Sequence, residues 1–396
     1  MKRGIFILLI LSIFLTGCWN RRELNELGIT LAIGIDKSDD EYLVSAQVVV
    51  PSEVSMKGGK GGTPVTLIEG RGETVYQAIR KMTKSLSRKI YPGHLRMLVI
   101  SESLAKEGIG YPLDLISRDW ELRSDFYVAV ARDSTAEQIL NVQTPLETIP
   151  ANKMFSTLKV SEENWAATVG VTLDQLITDL RSDGKEAVLT GILMTGKPEL
   201  GSSKQNVETI TPAASIKLDD LAVFKDDKLV GWLTEDESRG YNGIVNQVKN
   251  TVGTVSCPEG GKADIEVLRF KTKVKGNVKN GSPEVDVQVK IEANIGAIEC
   301  PIDITKPESI KILEKAYEKA VEETINRSIT SVQEKYETDI FGFGNAIHRS
   351  NPKEWKTMKK QWDQHFTDLA VNVKVNVKIL KTGTVNNSVV GKERTN

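Results

Sequence analysis

Apolar residues along this chain recur with two different periods, and the switch between them divides it. From residue 27 to 195, short apolar runs rich in β-branched residues alternate with stretches of helical spacing. The runs are "LGITLAIGID" at 27–36, "YLVSAQVVVP" at 42–51, "LRMLVIS" at 95–101, "FYVAVA" at 126–131 and "EAVLTGILM" at 186–194. Between them, Val75, Ile79, Met82 and Leu86 predict a helix over 73–89. Further helices are expected around Leu104, over 113–122, over 135–142 and over 172–181. The stretch "SEVSMKGGKGGT" at 52–63 is too glycine-rich to fold and reads as a flexible loop. Strands separated by helices predict a mixed sheet.

The texture changes after "GKPELGSSKQNVETITPAA", a polar stretch that predicts a linker over 196–214. Beyond it "LAVFKDDKLVGWLT" reads as a hairpin turning at Lys225–Lys228, and three strands then alternate with period two. Ile265, Val267, Phe270 and Val274 mark the first. Val285, Val287, Val289, Ile291, Ala293 and Ile295 share one face of the second, and Val371, Val373, Val375, Val377 and Ile379 one face of the third. Such alternation predicts an antiparallel sheet covered on one side. The cover is a long amphipathic helix whose stripe runs from Leu313 through Tyr317, Ile325, Ile329 and Val332 to Tyr336. Thr305-Lys306-Pro307-Glu308 resembles a capping box at its start. The expected class is α+β (mixed α/β), in several small domains: an α/β region over 27–195, possessing one or two subdomains, then a sheet-plus-helix domain over 215–385 and a disordered tail over 386–396.

The beginning of the chain follows neither period. Lys2 and Arg3 precede an apolar run over 4–15, shorter than the ~20 residues a membrane-spanning helix needs. Leu15-Thr16-Gly17-Cys18 follows, with small residues directly before a cysteine. This is the pattern of a secretory signal peptide, 1–17, whose cleavage site has the bacterial lipobox form. A thiol is required there because it accepts a diacylglyceryl group before the peptidase cuts ahead of Cys18. Residues 18–26 then form a lipid-anchored tether, and the covalent lipid on Cys18 is the attachment to the membrane. Each buried methylene adds ~0.8 kcal/mol, so two or three acyl chains hold far better than one.

Composition adds little and excludes something. The chain is 40% hydrophobic and 27% charged, ordinary for a globular protein. It has 52 basic and 53 acidic residues, and cleavage removes two of the basic ones, leaving a net charge of −3. That balance gives no electrostatic argument for nucleic acid. Cys257 and Cys300 are either two small buried thiols or, export permitting, a disulfide. They are too few for a protein-only zinc site. His94, His348 and His365 lack metal-ligand spacing, so no metal or other cofactor is expected. No nucleophile elbow, dinucleotide loop or phosphate loop is present. The acidic clusters Asp39-Asp40-Glu41 and Glu235-Asp236-Glu237 read as solvated turns. Nothing here argues for an enzyme.

The stretch "GCWNRRELNELGI" at 17–29 resembles the mature start of the Ger(x)C spore germination lipoproteins. In that family the lipidated cysteine is followed by Trp, an acidic or amide residue, Arg-Arg-Glu-Leu and a strand beginning with Gly. Cys18, Trp19, Asn20, Arg21, Arg22, Glu23, Leu24, Gly28 and Ile29 match, with Asn20 where Asp is commoner. "YPGHLRMLVI", "RDWELRSDFYVAVA", "DIFGFGNAIHRSNPKEW" and "VNVKVNVKILKTGTV" follow in order, so the resemblance runs to about Val385. It implies a C subunit of a nutrient-germinant receptor on the outer face of the inner spore membrane. The implied partners are a transporter-like membrane B subunit and an A subunit with membrane helices, and no enzymatic activity is implied.

Trp19, Arg21, Arg22, Glu23 and Leu24 have two readings. Arginines and a tryptophan near an acylated cysteine suit the headgroup level, or a docking surface for the partners. Equally, the cluster caps the first strand. The alternative function from another class is a solute-binding lipoprotein of an ABC importer, which shares the signal and the α/β first half. A cell-wall enzyme comes third.

Overall fold

The computed structural model describes residues 23–54, 61–118 and 121–381. Two mixed sheets with helices packed on them make an α+β architecture. In the first sheet the strands lie in the order β3 (Val65–Gly72), β2 (Glu41–Val49), β1 (Leu27–Ser38), β5 (Met97–Ser101), β6 (Tyr127–Arg132), β7 (Val188–Gly196), β8 (Ala214–Lys225) and β9 (Lys228–Trp232). The short β4 (Lys89–Tyr91) pairs with the start of β1. β1, β5, β6 and β7 are parallel neighbours, and hairpins make both flanks antiparallel.

The burial of β5 explains its unbroken apolar run. Met97 and Val99 pack with Ala129, Ile139 and Met154 on one face, while Leu98 and Ile100 pack with Val128, Val130 and Leu113 on the other. A parallel strand covered on both faces has no side for polar residues. The helix expected over 73–89 is shorter. It spans Val75–Lys81, continues as a 3-10 turn over Met82–Lys84, and gives way to β4. Among the elements that the pattern does not reveal are β3 and a helix over Pro150–Asn164 whose few buried apolar side chains, Ala151, Met154 and Leu158, are diluted by polar neighbours. The middle of the glycine-rich loop, 55–60, lies outside the described residues, as does the tail over 386–396.

The expected linker over 196–214 joins two adjacent strands of the first sheet, because β8 pairs antiparallel with β7. The hairpin at 221–234 therefore adds β8 and β9 to the first sheet instead of starting the second. The connection is pinned by Asn206, which is fully buried. Its Nδ2 donates to Gln143 O and Ala214 O at 2.9 Å each, and its Oδ1 accepts from Ala214 N at 2.8 Å. Polar composition there reflects this network, which a sequence pattern cannot tell from a linker. The change of sheet falls between Trp232 and Thr251, across the helix Glu235–Ile244.

The second sheet has the order β10 (Thr251–Ser256), β11 (Lys262–Lys279), β12 (Ser282–Ile298) and β13 (Ala370–Lys381). The first three are antiparallel, but β13 runs parallel to β12, against the expectation of a wholly antiparallel sheet. Period-two alternation reports which face is buried and is silent on direction. The long helical connection before β13 supplies the crossover that a parallel pair needs. The helix Pro307–Lys335 covers this sheet through Leu313, Tyr317, Ile325, Ile329 and Val332, each buried side chain contributing ~1.5–3 kcal/mol before ordering costs. Its start is not a capping box: the cap is Lys306, with no side-chain bond, and Thr305 Oγ1 donates instead to Asp303 Oδ1 at 2.6 Å. The helix also protects the open edge of β13. Glu318 accepts from Val377 N at 3.1 Å and Glu314 from Ile379 N at 2.9 Å, occupying donors that would otherwise template further pairing.

Candidate functional site: the start of the first strand and the joint between the sheets

Of the residues singled out at the start of the chain, Cys18, Trp19, Arg21 and Arg22 lie outside the described residues. Glu23 and Leu24 lead into a 3-10 turn over Leu24–Glu26, closed by Glu26 N donating to Glu23 O at 3.0 Å. The exposed carboxylate of Glu23 accepts from Asn25 Nδ2 at 3.3 Å. This turn hands the chain to β1, whose first residues, Leu27 to Ile29, pair in parallel with Lys89 to Tyr91 of β4. The same register sets the segment before β4 beside the incoming chain, and a Cβ on Gly28 would meet Leu86 Cδ2 at 3.1 Å. The "YPGHLR" segment thus begins beside the start of β1.

The segment "DIFGFGNAIHRSNPKEW" has a different job. Asp339 is fully buried, and its Oδ1 accepts from Phe341 N at 3.0 Å and Gly342 N at 2.9 Å. Oδ2 accepts from Gly344 N at 2.7 Å and from the indole of Trp362 at 3.0 Å. Burial pushes its carboxyl up to about 6, while these donors pull the other way. The tight turn needs glycine: Gly342 has φ +77°, and a Cβ on Gly344 would sit 2.7 Å from Trp355 and 2.8 Å from Gly184 Cα. Gly184 belongs to the loop before β7, so two backbones from different halves of the chain touch here. Asn345 N donates to Gly184 O at 3.1 Å and Glu186 N to Asp339 O at 2.7 Å.

Charges concentrate around this joint. Lys185 pairs with Asp179 at 2.7 Å, Lys359 with Asp183 at 2.8 Å and Lys225 with Asp363 at 3.0 Å. Burial pushes Glu186 up to about 7, with the charge of Asp226 adding to it, even though Asp226 N donates to its carboxylate at 3.0 Å. On the neighbouring contact, the cluster Glu235-Asp236-Glu237 is not a solvated turn. It opens the helix Glu235–Ile244, where Thr234 and Glu237 form a capping box. Glu237 is buried and pairs with Lys335 of the long helix at 3.0 Å. Burial works against its charge, but the hydroxyl of Ser331, the backbone of Thr234 and Lys335 outweigh it and hold the carboxyl down at about 2. Spacing alone does not reveal these roles: Gly184, Glu186 and Glu237 act on partners tens of residues or more away.

Cys257 and Cys300 are joined as a disulfide, with Cα atoms 6.0 Å apart across 43 residues, tying the end of β10 to the segment before the long helix. His94 is exposed with its ring 6.0 Å from that of Tyr91, and His348 stacks on Trp355 at 5.8 Å. Among the described residues, no group of three or more His, Cys, Asp or Glu side chains is placed to hold a metal, and no helix is long and apolar enough to cross a membrane.

Two family models match the chain: "Spore germination protein N-terminal domain" over residues 20–194 and "Spore germination B3/ GerAC like, C-terminal" over 219–383. Spore germination protein KC of Bacillus subtilis is 33% identical over 395 residues, covering 97% of this chain and 96% of that protein. Spore germination protein A3 of the same organism is 30% identical over 401 residues, covering 97% and 99%. The crystal structure of the GerBC protein superposes with a TM-score of 0.54 at 19% identity, over 88% of this chain and 96% of that one, and shares its fold. With both halves matched in order and a relative aligned end to end, the chain belongs to the GerAC-like family of spore germination proteins.

Proposed function

We propose that this protein is the lipid-anchored C subunit of a nutrient-germinant receptor, held by acylated Cys18 on the outer face of the inner spore membrane. It supports signalling through contacts with the membrane A and B subunits and catalyses no reaction. The observation that carries this reading is end-to-end kinship with spore germination proteins, in a chain that also begins with a lipobox. The polar cluster around Asp339 is spent on holding two halves of the chain together, which suits a protein that works through contacts. The second half is built on a single four-stranded sheet covered by one long and several short helices, not a second α/β lobe, which argues against an importer's solute-binding protein.

The test is germination of spores carrying Cys18→Ala, in a strain without redundant receptors. The expected result is loss of the response to nutrient, followed as optical density, with a normal response to a trigger that bypasses receptors. An intact nutrient response in spores lacking the whole protein would reject the receptor role.

A further inference from the structure

Of the basic side chains in the stretch that reaches the anchor end, Lys89 alone takes part in ion pairing among the described residues. Residues 76–96 contain six Lys and Arg and no Asp or Glu, in a chain whose charges otherwise nearly balance. Arg80, Lys81 and Lys84 are exposed and Arg88 is half-buried. Among the described residues, no carboxylate forms an ion pair with any of these four, whereas Lys89 is engaged by Glu121 at 2.6 Å. Arg80 lies over the half-exposed ring of Tyr76, 4.9 Å from its centroid, and donates to its hydroxyl at 2.6 Å. The parallel register of Leu27 with Lys89 sets Arg88 level with Glu26, so the basic turn stands where the chain arrives from Cys18. The tether from Cys18 to β1 spans at most roughly 30 Å when extended.

We infer that this face, centred on Arg80, Lys81, Lys84 and Arg88, is a docking surface for an anionic phospholipid surface and sets how the tethered body sits on the membrane. The inference rests on the lipid-anchored reading given above. Each basic side chain near such a surface gains from the negative potential, and a tether this short holds the patch within reach of it. An apolar groove of about 270 Å³ opens in the same face, lined by Ile79, Ile90, Leu115 and Leu122 together with Tyr76 and Arg80. Phosphates above an apolar layer match both parts of this face, while an acidic protein surface would match only the charge. Glu23 and Glu26 stand at the same end and oppose the attraction, though they are fewer than the basic groups.

The test uses the mature chain, 18–396, bearing Cys18→Ser so that no lipid contributes. Its cosedimentation is measured with vesicles of phosphatidylcholine alone and with phosphatidylglycerol added. The chain should bind the anionic vesicles, lose that binding as salt is raised, and ignore the neutral ones. Arg80→Gln, Lys81→Gln, Lys84→Gln and Arg88→Gln together should weaken binding roughly a hundred-fold or more. Removing the same number of charges elsewhere, with Lys311→Gln, Lys319→Gln, Lys353→Gln and Lys356→Gln, should leave it within about two-fold, since these exposed lysines lie outside the patch. Equal losses in the two variants, equal binding to both vesicles, or no binding at all would overturn the inference. So would a patch variant that blocks nutrient germination in a protein that ignores anionic vesicles, because the face would then meet a protein. The assay is blind to acylation, so its failure leaves the anchor at Cys18 to be judged by the spore experiment.

Discussion

The two sheets bury their strands in opposite ways. In the first, β5 has every residue buried, with side chains packed on both faces and parallel neighbours on both edges. In the second, β12 buries alternate residues and shows Lys, Gln and Glu to solvent, while β13 is an edge strand whose inward valines are mostly half-buried. The first sheet is therefore stabilised chiefly by apolar packing. The second needs help from outside its strands: a long covering helix, carboxylates on its open edge, a disulfide, and the buried Asp339 cluster that attaches it to the loop before β7. A half-covered sheet recovers less hydrophobic free energy per residue, and specific polar devices supply the remainder.

The strongest way to break this contrast is at Asp339. Replacing it with Ala strands three backbone N–H groups and an indole without their acceptor in a buried site, so Asp339→Ala should cost about 3–5 kcal/mol. Denaturant unfolding should show the loss, and a midpoint like that of the parent protein would mean the joint contributes little. Next comes packing. Ile100→Ala in β5 should cost about 3–4 kcal/mol, while Val373→Ala on half-buried β13 should cost about 1 kcal/mol. Equal costs would erase the distinction between the sheets.

The smallest effect is in pH. Glu186 titrates near 7 in the fold and near the ordinary 4.5 when unfolded, so between those values the folded protein binds more protons. Stability contributed by this residue is therefore present at low pH and declines as pH rises from about 4.5 to about 7. Glu186→Gln should raise the melting temperature at pH 8, by about 1 kcal/mol of stability after allowing for partial solvent screening, and leave it unchanged at pH 4. A gain of the same size at both values would assign the effect to packing.

Much was legible without coordinates where a pattern repeats locally. The strands β1, β5, β6, β12 and β13, the buried stripe of the long helix, and the family segments could all be read from residue spacing and order. Two readings failed for one reason, that polar sequence does not imply solvent exposure. The stretch over 196–214 is polar because Asn206 is knotted into backbone partners on both sides. Glu235-Asp236-Glu237 is acidic because a helix begins there and meets Lys335. Helix 150–164 escaped because its core face is thin.

What the sequence determined by itself is the class of the strongly periodic segments, since periods of two and 3.6 follow from backbone geometry within one strand or helix. Only the tertiary structure decided that β8 and β9 extend the first sheet, that β13 runs parallel to β12, and that Gly184 and Gly344 touch. Those outcomes depend on which distant backbone supplies the missing hydrogen-bond partner or leaves room for no side chain. Such a choice is made between segments far apart in the chain, and no local period records it.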